Sequence, residues 1–333
     1  MAVGLRYRVR MRFVYVMDPM DRVLPDKDTT FAFVRAAQAR GHEALHCLPR
    51  DLFVEDGDLH AFVSKLVVSD IAPYYQLSGR EAVRLADVQA VLIRKDPPFD
   101  VPYLYATLLL ERLRDRTIVM NDPRGLRDAN EKLYTLNFAR HMPRTWVGAD
   151  RDRIFEFVKH VGGRAVIKPL YGAGGAGVLA LTEGDKNARS IVDLLTVEGT
   201  QVAMVQEYVP AVEEGDKRVL LLDGQVLGSI LRVPRKDDHR SNIHVGGTVV
   251  PSELTDAERA IVADIAPRLA KDGLIFVGLD MIGGHLTEVN VTSPTGIQEL
   301  SRHKGTDMAV PVIQWLEKRA DDYRPQLKSI PAF

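Results

Sequence analysis

An α/β fold is predicted, with a parallel α/β domain at the N-terminus and α+β character in the C-terminal part. Three observations carry that reading. Residues 12–48 run strand, helix, strand, the usual opening of a parallel sheet. The second half instead pairs neighbouring strands around tight turns, at Asp223-Gly224 and Gly283-Gly284. With 333 residues the chain exceeds one ordinary core, so two or three domains are expected.

The first strand is the apolar run 12–17, followed by a polar loop with Pro19 and Pro25. Asp28 or Thr29 can cap a helix carrying Phe31, Phe33, Val34, Ala37 and Gln38, which ends at Gly41. A strand follows at 43–48, then others at Ala90–Ile93 and Thr117–Met120, with a helical pattern over Tyr103–Leu113 between them. Residues 50–85 carry no clear pattern, and residues 1–10 read as a loose extension. Organisation changes near Asn121-Asp-Pro123. Leu126–Phe138 reads as a helix capped near Asp128 or Asn130, and Arg151–His160 as a helix flanked by strands at 145–147 and 165–167. Further strands are expected at 177–181, 202–206, 218–223 and 225–232. A polar stretch 234–242, a long helix Asp256–Lys271 and an amphipathic helix 308–320 complete the pattern.

Composition is that of an ordinary globular protein, 46% hydrophobic and 27% charged. A net charge of -1 removes the electrostatic case for a nucleic-acid binder. No apolar run reaches the roughly 20 residues that span a bilayer, and the arginine-rich start lacks the apolar core of a signal peptide. The single cysteine, Cys47, excludes an internal disulfide and fits a reducing, cytoplasmic setting; it reads as a structural thiol.

Chemistry concentrates in two places. Tyr171-Gly-Ala-Gly-Gly-Ala-Gly177 follows a strand ending in Lys168. Gly172, Gly174, Gly175 and Gly177 would let backbone N–H groups approach an anion closely. No Gly-Lys-Ser/Thr follows, and Val178–Leu181 reads as a strand, so a glycine-rich hairpin fits better than a Walker or dinucleotide loop. The alternative is a plain flexible turn. Lys168 and Lys132 are either solvent-facing or point charges for phosphate. Val205–Pro210 is either a strand entering a turn or a linker whose backbone reads an adenine edge, with Asp216 near the ribose. Arg218 and Arg232 beside apolar strands need partners, either structural carboxylates or an anionic ligand.

The second place is the hairpin over 276–290, carrying Asp280, Glu288 and Asn290. Hard oxygen ligands of this kind suit Mg²⁺, which typically shares its shell with nucleotide phosphates. Glu288 and Asn290 lie two apart and share a face. Asp280 joins that face only if the offset is odd, so a three- or five-residue loop, or a bulge, is expected around Gly283–His285. Two carboxylates there repel unless a cation or proton intervenes. The nine histidines show no metal spacing.

Seven runs resemble bacterial glutathione synthetase, of the ATP-grasp superfamily, in that family's order. They are Val16-Met-Asp-Pro19, Arg94-Lys-Asp-Pro-Pro-Phe-Asp100, Leu126-Arg-Asp-Ala-Asn-Glu-Lys132, Lys168-Pro-Leu with its glycine loop, Gly215-Asp-Lys-Arg-Val219, Gly273–Asp280 and Leu286–Thr295. The resemblance implies a pre-ATP-grasp domain over 1–127, a small ATP-grasp lobe over 128–206 and a large lobe over 207–333.

It also implies a reaction. ATP would phosphorylate the terminal carboxylate of γ-glutamylcysteine, and the amine of glycine would displace phosphate to give glutathione. Lys132, Lys168 and the glycine loop would hold phosphates. Glu207, Tyr208 and Val209 would frame the adenine, with Asp216 nearby. Asp280, Glu288 and Asn290 would hold Mg²⁺, as two ions, with Mn²⁺ as a substitute. Arg218 and Arg232 would be catalytic. Arg94, Asn242, Gly246, Gly247, Ser293 and Thr295 would contact the peptide, with 234–248 as a mobile loop. The small-molecule partners are γ-glutamylcysteine, glycine and ATP, and the assembly a homotetramer. Thr248 departs from the arginine often found after the paired glycines, and Glu207 from a neutral residue. Rival readings are a D-alanine–D-alanine or glutamate ligase of the same superfamily, and an ATP-binding regulator without chemistry.

Overall fold

Alternating apolar strands build three sheets, which a computed structural model describes for residues 10–172, 175–234 and 248–327. The first sheet begins with β1 (Arg12–Met17), whose side chains are nearly all buried. Asp28 caps helix α1 (Thr29–Ala39) by accepting from Phe31 N at 2.6 Å. The chain returns as β2 (Glu43–Cys47), parallel to β1. Cys47 is fully buried, as a structural thiol should be.

Residues 50–85, without a clear sequence pattern, supply three antiparallel strands: β3 (Leu52–Glu55), β4 (Asp58–Val68) and β5 (Tyr75–Arg84). The sheet is therefore mixed, with its parallel core confined to β2, β1, β6 (Ala90–Arg94) and β7 (Ile118–Met120). Helix α2 (Val101–Leu110) connects the last two strands.

The helix expected over Leu126–Phe138 is broken. Helix α3 (Pro123–Asp128) is capped by Asp122 and stops at Ala129. The Asn130 carboxamide oxygen then accepts from Lys132 N and Leu133 N, starting a separate 3₁₀ stretch over Leu133–His141. Such local side-chain bonds compete with helix continuation. The break carries Glu131 and Lys132 toward the third sheet.

A second, four-stranded sheet follows, with β8 (Thr145–Gly148), helix α4 (Arg151–His160), β9 (Arg164–Pro169), β10 (Leu179–Thr182), helix α5 (Ala188–Thr196) and β11 (Ala203–Glu207). Its order is β10-β9-β11-β8, and every pairing is antiparallel. The glycine loop joins β9 to β10 as a hairpin, with positive φ at Gly172, Gly175 and Gly177, where glycine avoids the Cβ penalty.

The third sheet runs β14-β13-β12-β15-β16. Its strands are β12 (Asp216–Leu222), β13 (Gln225–Val233), β14 (Thr248–Ser252), β15 (Phe276–Ile282) and β16 (His285–Asn290). Helix α6 (Asp256–Lys271) begins in a capping box between Thr255 and Glu258. Two more helices, α7 (Ile297–Lys304) and α8 (Ala309–Leu327), close the chain. Apolar faces of the first and third sheets merge: Val14, Val16 and Ile93 share a buried cluster with Val219, Val277 and Leu279. Burying that joint surface fixes one sheet against the other.

Candidate active site

The β15–β16 hairpin turns on Gly283-Gly284 alone, with Ile282 opposite His285 and Met281 opposite Leu286. An ideal ladder would then set Asp280 against Thr287. A bulge instead pairs Asp280 with Glu288, so the odd offset lies at Thr287 rather than around Gly283–His285. Thr287 Oγ1 donates to the Asp280 carbonyl at 3.1 Å and pins the bulge.

Cross-strand register extends this polar row. Arg218 on β12 sits opposite Asp280, and Arg232 on β13 sits opposite Asp216. Arg218 grips Asp280 through two bonds, Nε to Oδ1 at 2.5 Å and Nη2 to Oδ2 at 2.9 Å. Arg232 Nη2 reaches Asp280 Oδ2 at 2.9 Å and also binds Asp216. Asn290 Nδ2 adds a bond to Asp280 Oδ2 at 3.2 Å. Gly278 leaves the space, since a Cβ there would meet Arg218 Cδ at 3.0 Å. Repulsion between the two carboxylates is therefore relieved by protein cations: the arginines at Asp280, and Lys132 Nζ 3.0 Å from Glu288 Oε1. Burial works to raise the Asp280 carboxyl, but both guanidinium groups outweigh it and hold it well below the usual range. For Asp216 burial wins over Arg232 and pushes the carboxyl up to about 6.

The residues expected to hold a nucleotide lie around the second sheet and the break before it. Lys132 Nζ also donates to the Gly172 carbonyl at 3.4 Å, tying the glycine hairpin to Glu288. Lys168 donates to Gln206 Oε1 at 2.6 Å, and burial pulls its ammonium below its ordinary value. Glu207 N and Tyr208 N donate to the Arg144 and Arg164 carbonyls. The Glu207 carboxylate pairs with Arg144 at 3.0 Å, and Arg164 covers the Tyr208 ring at 3.7 Å. Glu207, Tyr208 and Val209 thus form the exit of β11, with Val209 O accepting from Val212 N. Asp216, expected near a ribose, is buried and pairs with Arg232 in the ion-pair row.

Beside the row lies a cavity of about 390 Å³. Arg218, Arg232, Asn290, Ser293 and Thr295 line it from the third sheet; Asp18, Arg22, Lys27, Asp28 and Asp96 line it from the N-terminal domain. Ser293 Oγ is buried with no partner among the described residues. Thr295 O accepts from Arg218 Nη1 at 3.2 Å. Arg94, expected to contact the peptide, is buried and is not among the residues that line this cavity. Its Nε donates to Thr30 Oγ1 and its Nη2 to Pro294 O, both at 3.1 Å, so it ties helix α1 to the loop that carries Ser293 and Thr295. Gly174, Asn242, Gly246 and Gly247, with most of the loop 234–248, lie outside the described residues, as do residues 1–9 of the N-terminal extension.

Sequence reasoning passed over Glu131, whose Oε1 accepts from Val291 N (3.0 Å), Thr292 N (3.1 Å) and Thr292 Oγ1 (2.9 Å). Its place beside Lys132 was the available signal. Asp18 and Asp96 were missed as well, although they fall inside the two motifs 16–19 and 94–100. Asp28, read from sequence only as a helix cap, also lines the cavity and gives a pH test. Burial lifts its carboxyl to about 6 despite its cap bond. A raised folded value means stability is greatest below about pH 4 and is lost as pH rises through about 6. Asp28→Asn keeps a cap acceptor and removes the charge. Its melting temperature should equal or exceed wild type above pH 6, with a flatter slope between pH 4 and 6. An unchanged slope would assign that titration to another group.

A glycine-rich hairpin tied through Lys132 to Glu288, and a carboxylate–arginine sheet face opening onto the cavity, fit an ATP-dependent ligase of the ATP-grasp class. Solved structures share this fold. D-cycloserine synthetase DcsG aligns with a TM-score of 0.64 at 19% identity, covering 93% of this chain and 99% of that one. The ATP-grasp ligase PsnB, complexed with precursor peptide PsnA2 and AMPPNP, aligns at 0.60 and 18%, covering 92% and 97%. Two family models match, described as the prokaryotic glutathione synthetase N-terminal domain (residues 11–127) and its ATP-grasp domain (131–305). The glutathione synthetase of Synechocystis sp. is 44% identical over 320 residues, covering 93% of this chain and all of the relative. That of Agrobacterium fabrum is 41% identical over 306 residues, covering 92% and 96%. The chain belongs to the prokaryotic glutathione synthetase family. It is an ATP-using enzyme that acts on small molecules. Among the described residues no helix is long and apolar enough to cross a membrane.

Proposed function

We propose that this chain ligates γ-glutamylcysteine to glycine through an acyl phosphate, with ATP giving ADP and phosphate. The observation that carries the site assignment is the register: Arg232, Arg218, Asp280 and Asn290 share one sheet face, and the two arginines and Asn290 open onto the cavity. Lys132, Lys168 and the N–H groups of the glycine hairpin hold the phosphates in place. Positioning and charge neutralisation are most of what phosphoryl transfer requires. Arg218 and Arg232 attract the peptide carboxylate, whose oxygen takes the γ-phosphoryl group. The glycine amine then attacks the carbonyl carbon, and the same guanidinium groups balance the oxyanion until phosphate leaves. Arg94 acts as a positioning residue through Pro294.

The residues also fit a hard cation. Two carboxylates, Asp280 and Glu288, and the Asn290 carboxamide share one face. That donor set suits Mg²⁺, or Mn²⁺, which completes its shell from phosphate oxygens and water. Asp280, Glu288 and Asn290 would hold it, and when bound it neutralises charge on the phosphates. A cytoplasmic homotetramer belongs to the same reading on family resemblance, and sedimentation velocity tests the assembly.

A coupled ADP assay tests the substrate assignment. ADP release should require both γ-glutamylcysteine and glycine, with glutathione identified by mass. Faster release with D-alanine or glutamate as acceptor, or ATP binding without turnover for any pair, would overturn it.

A further inference from the structure

Lys168 is held by an amide rather than by a carboxylate, and the partners of that amide run across three adjacent strands. Gln206 on β11 lies directly opposite Thr145 on β8 and opposite Val166 on β9. Lys168 is two residues beyond Val166, so it shares the face of Gln206 as its diagonal neighbour. Thr145, Gln206 and Lys168 thus form one polar row. The opposite face carries Ala165, Ile167, Ala203 and Val205, all within the buried apolar cluster of this sheet.

The hydrogen bonds have a single consistent direction. Thr145 Oγ1 spends its hydrogen on the Pro143 carbonyl at 2.8 Å. Its lone pairs can then only accept, and Gln206 Nε2 donates to it at 3.0 Å. With its nitrogen committed there, the carboxamide must turn its oxygen to Lys168, which donates at 2.6 Å. Gln206 is only 2% exposed, so reversing the amide would place two donors face to face in a buried site. An ammonium group has three donors. One is fixed by Gln206, and two remain for an anion.

We propose that Gln206, oriented by Thr145, is a positioning residue for nucleotide binding: it fixes the Lys168 ammonium toward the phosphates without neutralising it. This rests on the reading of Lys168 as a phosphate ligand. A carboxylate at 206 would also grip Lys168, but it would cancel the charge that attracts phosphate and could not donate to Thr145. An amide orients the lysine and leaves its full charge to the ligand.

The test is calorimetric titration of the full chain with ATP, alongside KM for ATP and kcat. Gln206→Leu and Thr145→Val should each weaken ATP binding, with Gln206→Leu near tenfold, about the value of one hydrogen bond to a charged group. KM for γ-glutamylcysteine and kcat at saturating ATP should stay near wild type. Thr145→Ser should restore wild-type affinity, and Gln206→Glu should bind ATP more weakly than Gln206→Leu. If Thr145→Val and Gln206→Glu fold but keep wild-type ATP affinity, changing only the melting temperature, the row is structural and the proposal fails. Lys168→Met separates the underlying reading. Unchanged ATP affinity in that variant would remove Lys168 from the nucleotide site altogether, whereas weakened affinity there with wild-type binding in the 206 and 145 variants would defeat the positioning role alone.

Discussion

Glu288→Gln should abolish measurable ligation while the protein stays folded. The carboxylate lies opposite Asp280 on β16 and 3.0 Å from Lys132 Nζ, at the side of the glycine hairpin. Gln is isosteric, so packing is kept; only the charge is lost. Two consequences follow. Lys132 loses its ion partner, which leaves more positive charge facing the nucleotide and should not weaken metal-free ATP binding. The cation, by contrast, would lose one of its two candidate carboxylate ligands, Asp280 and Glu288. Removing a ligand of that kind withdraws several kcal/mol of charge stabilisation, or about a hundred- to thousandfold in rate. The measurement is ADP release over a magnesium titration, with thermal unfolding as the control for folding. A chelator added to wild type should reproduce the defect, and excess magnesium should restore the wild type but not the variant. Turnover near wild type at ordinary magnesium would show that Glu288 is not a metal ligand.

How much of this site could be read in the chain depends on what kind of constraint fixed each residue. Parity fixes whether two strand positions share a face, so Glu288 and Asn290 could be placed together from spacing alone, while Asp280 joins them only through one odd residue. Parity does not say where the odd residue goes, and the bulge lies at Thr287 instead of beside the glycines. Partners across strands were illegible for a different reason. Arg218 and Arg232 announced a need for anions, but pairing Arg232 with Asp216 depends on a register shift within the β12–β13 hairpin, and pairing Arg218 with Asp280 on register between strands far apart in sequence.

The hairpin over 58–84 escaped for want of a pattern. β5 is exposed at nearly every position, so no alternation marks it. Helix α7 starts at Gly296 with no side-chain cap, which removes the usual start signal. Arg94's buried bonds to Thr30 and Pro294 were not legible in the sequence. A strand-end arginine reads the same whether it points into a cavity or props up the loop that lines it.

Asn121→Ala should be the most destabilising of the single changes considered, although Asn121 touches neither nucleotide nor cavity. It follows β7 and reaches into the third sheet. Its Oδ1 accepts from Ile275 N and Phe276 N, both at 2.8 Å. Its Nδ2 donates to Phe276 O at 2.9 Å and Val291 O at 2.8 Å. A carboxamide can make no more strong bonds than these along its two polar atoms in a buried site. Alanine would leave four backbone groups without this partner, in a region only 4% exposed at Asn121 itself. At about 1 kcal/mol each the loss approaches about 4 kcal/mol, large against the usual 5–15 kcal/mol of a whole protein. Asn121→Asp is instructive beside it, since the acceptor survives but both donors are replaced by a buried charge. Urea unfolding should place both variants well below wild type, and Asn121→Asp should recover partly in acid as its carboxyl protonates. Val291 directly follows Asn290, so the folded fraction of either variant should also show weakened magnesium dependence, because the strand that presents Asn290 has lost its anchor. A midpoint shift equivalent to less than about 1 kcal/mol would mean that water replaces the carboxamide at little cost, and that the two sheets are joined by their apolar surfaces instead.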